Sequence, residues 1–194
     1  MSLKEHIYSI LIVSSADNFT SALTELLSEA KYSPIHIVKN VSHAKRALAE
    51  KSYDFVIINS PLPDDAGIRL AIDVSSESRT AVLLFAKTDI YAEIHSKTAD
   101  YGVFTLSKPT SRVILLHALD WLESARERLR LFEKKTTSIE DKMTEIRIVN
   151  KAKWLLISEL NMSEPDAHRY IEKTAMDRSL SKKAVAEEII RTYS

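Results

Sequence analysis

The 194-residue sequence predicts an α/β fold, a doubly wound five-stranded parallel sheet, followed by a long coiled-coil helix and a small all-α module of three helices. Three observations predict it. Short, β-branched or continuously apolar runs alternate with helical patterns five times in the first hundred or so residues, as in a parallel sheet covered on both faces. Neither Gly nor Pro occurs between Thr110 and Pro165, a silence that signals long helix. Apolar residues then recur in alternating steps of four and three, which is a heptad period.

The strand runs are Tyr8 to Val13, Pro34 to Val38, Asp54 to Ile58, Thr80 to Ala86 and Gly102 to Leu106. Helical patterns lie between them at Phe19 to Ala30, with Ala22, Leu23, Leu26 and Leu27, and at Ser42 to Glu50, with Ala44, Ala47 and Leu48. Two more run from Ile68 to Ser75 and from Tyr91 to Thr98. The heptad series is Ala118, Leu122, Ala125, Leu129, Phe132, Thr136, Ile139, Met143, Ile146 and Asn150. One helix over residues 111–159 would be on the order of 70 Å long at about 1.5 Å per residue. It predicts a parallel two-stranded homodimer with Leu122, Leu129, Phe132, Ile139, Met143, Ile146 and Asn150 along the seam. Asn150 would be the polar residue that fixes register and chain number at some cost in stability. A competing reading ends the helix after Leu115 to Leu122 cover the sheet, with a break at Lys134-Lys135-Thr136-Thr137-Ser138.

After Asn161, Ser163-Glu164-Pro165-Asp166 supplies an N-cap, a first-turn proline and an acid at the third helical position. That helix turns Ala167, Tyr170, Ile171 and Ala175 inward, and Ser181 caps a last helix with Val185, Ala186, Ile189, Ile190 and Tyr193 inward. Ile148, Ala152, Leu155, Leu156 and Leu160 complete a three-helix core. The expected divisions are 1–120 for the sheet domain, 121–144 for the linking helix and 145–194 for the module.

Composition excludes several classes. Twenty-seven basic and twenty-seven acidic residues cancel, so any polyanion site is local. The absence of cysteine rules out disulfides and thiolate metal sites. The terminus MSLKEHIYSILIV carries only a short apolar run without a cleavage site, and no stretch reaches bilayer length, so a cytoplasmic protein without a membrane partner is expected. Six histidines, at 6, 36, 43, 95, 117 and 168, form no metal-ligand spacing, and no cofactor or catalytic constellation is expected.

In a doubly wound sheet, chemistry collects at the carboxyl ends of the strands. There the first strand runs into Ser14-Ser15-Ala16-Asp17, the third into Asn59-Ser60-Pro61-Leu62-Pro63-Asp64-Asp65-Ala66-Gly67, and the fifth into Lys108-Pro109. Over roughly residues 6–125 this frame resembles the CheY-like receiver domain of bacterial response regulators, in which the third strand ends in a phosphorylated aspartate. The departures from that pattern are decisive for function. Asn59 stands at the phosphoacceptor position, Ser14 and Ser15 at the magnesium-binding acidic pair, and Phe85, within Leu84-Phe85-Ala86, where the family carries Ser or Thr. Only Lys108 survives, with no evident job beyond structure, and a pseudo-receiver is expected. Asp17 is read as helping to cap the first helix, and Asp64-Asp65 as a solvated turn.

The carboxyl-terminal segment presents Lys151, Arg169, Lys173, Arg178, Lys182 and Lys183 as candidates for one basic surface, yet ten Lys and Arg from Glu140 to Ser194 are balanced by ten Asp and Glu. VNKAKWLLISELNMSEPDAHRYIEKTAMDRSLSKKAVAEEII closely resembles the ANTAR module, the RNA-binding output domain of bacterial antiterminators, in Ala152-Lys153, Leu155-Leu156, Met162, Ala167, Ala175, Met176 and Val185-Ala186. That resemblance implies binding to paired stem-loops of a nascent transcript. The candidate contacts are Lys153, Arg169, Lys173, Arg178 and Lys182, with His168 and Tyr170 as lesser contributors. Tyr170 has helix core as its alternative, and Trp154 is assigned to core or dimer contact. Two other functions fit the sequence: a DNA-binding response regulator with a helix-turn-helix output, or a protein-interaction adaptor. With Asn59 at the acceptor position, control would pass to constitutive dimerisation, a ligand, or a regulatory protein docked on the receiver surface.

Overall fold

Strands β1 (Tyr8–Val13), β2 (Tyr32–Val38), β3 (Phe55–Asn59), β4 (Ala81–Lys87) and β5 (Phe104–Lys108) form one parallel sheet in the order β2-β1-β3-β4-β5. Helices α1 (Asp17–Thr24), α2 (Val41–Glu50), α3 (Ile68–Glu77) and α4 (Tyr91–Thr98) connect them, and α5 (Arg112–Leu160), α6 (Glu164–Asp177) and α7 (Lys182–Tyr193) follow. This computed structural model describes residues 6–77 and 79–193; residues 1–5 of the amino-terminal run lie outside them. The chain divides into two compact units, Met1–Leu131 and Phe132–Ser194.

In the first unit every residue of β3 is buried, which is why its sequence is continuously apolar rather than alternating. One face of the sheet packs Leu11, Val56, Ile58, Val82 and Leu84 under α2, α3 and α4. The other packs Ile10, Ile12, Phe55, Ile57 and Phe85 under Leu23 of α1 and Leu115, Ala118, Leu119 and Leu122 of α5. Pro34 is tolerated because β2 is an edge strand. The helix expected over Phe19 to Ala30 ends at Thr24. Thr20 and Thr24 bond back to Ala16 and Thr20 carbonyls, and the Leu26 and Leu27 N–H groups reach only three residues back, which tightens and stops the helix while Leu27 stays buried.

Helix α5 shows no break at Lys134 to Ser138. Its early turns are committed to the sheet. Leu122 has no exposed surface, which removes it from the expected dimer seam and makes it a receiver core residue, with Ala125 packed beside it. One turn further, polar groups tie α5 to the amino-terminal ends of the strands. The Arg126 Nε donates to Asp54 Oδ1 at 2.9 Å, the Tyr8 hydroxyl donates to Glu127 at 3.2 Å, and Glu123 accepts from Tyr32 and pairs with Lys31 at 2.7 Å. Burial pushes the Tyr8 phenol up to about 12, with Glu127 adding to the shift, and burial beside Glu123 raises Tyr32 in the same direction.

In the second unit Ala152, Leu156, Ala167, Ile171, Ala175, Val185, Ala186 and Ile189 make the three-helix core. Ser163 accepts from the Asp166 N–H and Ser181 from the Ala184 N–H, so both predicted caps form. With no glycine available, Ser179 takes the left-handed conformation, φ 51°, after α6. The Leu180 N–H then bonds to the Ala175 carbonyl and the Ser179 N–H to Met176, a Schellman closure. Tyr170, Leu160 and Tyr193, expected inward, are exposed. The buried rows are instead Ala152 and Leu156 on α5, Ala167, Ile171 and Ala175 on α6, and Val185, Ala186 and Ile189 on α7.

The Asp54 carboxylate carries a pH prediction. Burial alone would raise its pKa, but hydrogen bonds from the Ser9 N–H and hydroxyl and from Arg126 outweigh this and hold it below the usual carboxylate value. Its contribution to stability is therefore complete above the unfolded value of about 3.9 and is lost as pH falls through the lower folded value. Asp54→Asn will flatten the acid limb of a stability-against-pH curve, and Asp54→Ala will cost about 2 kcal/mol at neutral pH by chemical denaturation.

Candidate functional site

The first candidate site lies at the carboxyl ends of β1, β3 and β5, beside the point where strand order reverses. The Lys108 ammonium donates to Asn59 Oδ1 at 2.6 Å and to the Ser60 carbonyl at 2.5 Å. The Asn59 amide nitrogen donates to Ser14 Oγ at 3.0 Å, and that hydroxyl also accepts from the Ala16 N–H at 3.2 Å. Lys108, Asn59 and Ser14 are thus one closed chain in which Lys108 supplies the orienting charge. Burial, and then the nearby Lys87, lower the Lys108 pKa, as expected for an ammonium facing amide and carbonyl oxygens without a carboxylate.

Ser15 is exposed and stays outside this chain. Phe85 lies opposite Asn59 in the β3–β4 register, fully buried, with its ring edge-on to Phe19 at 5.0 Å. Asp17 makes no cap, since α1 begins without a side-chain cap bond, and pairs instead with Lys39 at 3.3 Å. Asp64 is no idle turn residue. Its carboxylate accepts from the Val41 and Ser42 N–H groups at 2.9 and 3.0 Å, closing the start of α2 from across the rim, and the Val41 bond leads the causes that lower its pKa. Asp65 accepts from the Gly67 N–H at 2.7 Å in a turn that needs φ 75° at Gly67, where a Cβ would meet Ile58 at 2.9 Å. Among the described residues no group of three or more His, Asp or Glu is placed to hold a metal ion.

The second candidate site is the surface of the helical module. Its charged groups divide into two sets. Lys153 pairs with Glu164 at 2.7 Å, Lys182 with Glu172 at 2.5 Å, and Arg178 grips Glu188 through both terminal nitrogens at 2.5 and 3.1 Å. Each acid is lowered chiefly by its hydrogen bond to the cation, and the Glu188 bond raises Arg178. His168 sits 3.3 Å from Glu172, beside Lys182. Arg169 and Lys173, one turn apart on α6, are exposed and make no ion pair among the described residues. The structure therefore separates the five predicted contacts into three that brace helix to helix and two that stand clear. Trp154 is 70% exposed, which excludes the core alternative, and Tyr170 at 46% is likewise not core.

The stretch 137–190 matches the family model of the ANTAR domain. Residues 137–190 are an ANTAR domain. The chain is similar to the transcriptional regulatory protein PdtaR of Mycobacterium tuberculosis, 27% identical over 171 residues that cover 88% of this chain and 83% of that protein. The sheet unit is similar to the signal receiver domain of an HD domain-containing protein from Pseudomonas fluorescens Pf-5, with TM-score 0.57, 26% identity, and coverage of 69% of this chain and 96% of that one. It shares its fold with the chemotaxis response regulator CheY4 of Vibrio cholerae, with TM-score 0.52, 19% identity, and coverage of 60% and 98%. A response-regulator receiver fold is thus followed by an ANTAR domain, and among the described residues no helix is long and apolar enough to cross a membrane.

Replacing Ser14 tests the rim. Ser14 is 1% exposed and Asn59 6%, so Ser14→Ala leaves a buried amide N–H without its acceptor. Denaturant unfolding of the full chain is expected to show a loss of about 1–3 kcal/mol.

Proposed function

We propose that the chain is a transcription antiterminator that binds paired stem-loops of a nascent transcript through its ANTAR domain, as a parallel coiled-coil dimer in the cytoplasm. The observation that carries this reading is the ANTAR match over 137–190. The supporting chemistry is an α6 surface on which Arg169 and Lys173 are available to phosphates while paired cations hold the helices in place. Phosphate contacts would position the RNA, and exposed side chains would reach unpaired loop bases. No catalytic step, metal or cofactor enters this mechanism.

Dimerisation is supported by α5. Ile139, Met143 and Ile146 are about half or more exposed on a continuous helix, and Asn150 continues their heptad spacing. A helix that leaves such a row in water has its apolar face unpartnered in a single chain. The seam would begin after Leu122 and Ala125, which the sheet has claimed.

The receiver is read as silent toward phosphoryl transfer. A carboxamide is a poor nucleophile, and Ser14 and Ser15 are neutral where a hard dication needs acidic ligands. Control would then rest on constitutive dimerisation or on a protein that docks on the receiver surface.

Titration of the full chain at moderate salt with a two-stem-loop RNA, duplex DNA and a scrambled RNA tests the assignment. Tighter binding to the structured RNA is expected. Preference for duplex DNA would replace the reading with a DNA-binding regulator, and equal weak binding to all three would replace it with an adaptor. Ile139→Asp will raise the dimer dissociation constant by about 100-fold in sedimentation experiments, since a seam carboxylate must be desolvated or expelled. Mg²⁺ with a small phosphodonor will leave the oligomeric state unchanged; a phosphate-dependent shift would place an acceptor elsewhere than Asn59.

A further inference from the structure

The carboxyl-terminal part of α5 carries a row that neither core nor ion pairing explains. Arg147, Lys151, Trp154 and Ser158 follow at steps of four, three and four, so they lie along one side of the helix, and all four are exposed. Trp154 has more of its surface in solvent than Phe132, Ile139 or Tyr170. The core of this unit uses Ala152 and Leu156, so the indole is not held by it.

The charge pattern around the row is one-sided. No acid occurs between Glu145 and Glu159. The residues three or four positions from Arg147, Lys151 and Trp154 are Met143, Thr144, Ile148, Asn150, Leu155, Ile157 and Ser158, together with members of the row itself. Arg147 and Lys151 therefore face each other one turn apart, a like-charge arrangement that disfavours the isolated helix. Neither makes an ion pair among the described residues, whereas Lys153, which points to the α6 side, is held by Glu164. A strained pair of cations beside an open aromatic face is chemically suited to an anion that also carries a flat ring.

We infer that Arg147, Lys151 and Trp154 form a second nucleic-acid contact on α5, in which an unpaired RNA base stacks on the Trp154 indole and its flanking phosphates are met by the two cations. Single-stranded bases gain much of their binding from stacking on aromatic side chains, and the adjoining Lys and Arg supply the salt-dependent part. This site rests on the RNA-binding reading and adds to it a surface separate from Arg169 and Lys173. Charge complementarity favours RNA over a second copy of the chain as the occupant, because a self-associating face would bring Arg147 and Lys151 against their own equivalents.

The test uses the full chain carrying Trp121→Phe, which leaves Trp154 as the only indole. Titration with the two-stem-loop RNA should quench its fluorescence to saturation. Trp154→Ala should weaken binding about tenfold or more while Trp154→Phe retains most of it, and Arg147→Gln or Lys151→Gln should each reduce the salt slope by about one. Circular dichroism and sedimentation of each variant report helix content and dimer dissociation. Unchanged fluorescence at saturating RNA, or Trp154→Ala binding as tightly as its parent, overturns this site and leaves the antiterminator reading standing. A weaker dimer with unaltered RNA affinity per dimer also overturns it and makes Trp154 a dimer contact. If the parent shows no preference for the structured RNA, the site and the broader reading fall together.

Discussion

The attachment of α5 to the sheet is the constraint on which the first unit and the long helix both depend. Leu115, Ala118, Leu119 and Leu122 close one face of the sheet, and Glu123, Arg126 and Glu127 then fasten the next turn to Lys31, Tyr32, Asp54 and Tyr8. The apolar part supplies most of the energy, because the buried side chains leave water altogether. The polar part supplies direction. Arg126 and Asp54 are each about one-seventh exposed, so their pairing tolerates few geometries. A heptad position that is used up in the sheet cannot also face another chain. That is why the row of exposed apolar residues begins beyond Leu122 even though the sequence period runs through it.

The same logic of groups already engaged applies at the receiver rim. A lysine beside an aspartate would be balanced by a full charge, whereas here Lys108 is met by one amide oxygen and one carbonyl. Oxygen dipoles can orient an ammonium but compensate its desolvation only in part, which agrees with the downward shift of its pKa. Asn59 in turn spends its N–H on Ser14, and Phe85 spends the adjoining space on Phe19. Ser14, Asn59, Phe85 and Lys108 each have a local partner. On the proposed reading, the rim has become a packing element that preserves the receiver surface.

Much of the architecture was legible in the sequence because period and punctuation report backbone state directly. Five apolar runs became five parallel strands, and the stretch without Gly or Pro became one helix. Caps at Ser163 and Ser181 were equally readable, since a hydroxyl at that position has a fixed acceptor role. What periodicity could not show was which polar groups meet across elements. The Asp54–Arg126 pair joins residues far apart in the chain, and Asp64 caps a helix that precedes it. For the same reason the five predicted RNA contacts were chosen by charge alone, and three of them proved to be committed to Glu164, Glu172 and Glu188. Tyr170 shows the opposite error. Its apolar ring suggested core, but the buried row of α6 is Ala167, Ile171 and Ala175, and the ring stands outside it.

The neutrality of the carboxyl-terminal unit is compatible with a polyanion partner once charge is located rather than summed. Glu164, Glu172 and Glu188 each pair with a cation of the same unit, so at short range they offset Lys153, Lys182 and Arg178 and leave the unpaired cations uncompensated. On α6, Asp166 is further engaged by the Ser163 hydroxyl at 2.6 Å. By contrast, the stretch from Ile146 to Ser158 holds no acid, and its Arg147 and Lys151 make no ion pair among the described residues. Over distances shorter than a Debye length of about 8 Å, such a segment presents positive potential whatever the total charge of the chain. A short-range field of this kind suits a ligand that is docked by shape and by stacking, since it acts only once the strand is in contact and does not draw nucleic acid indiscriminately from a distance.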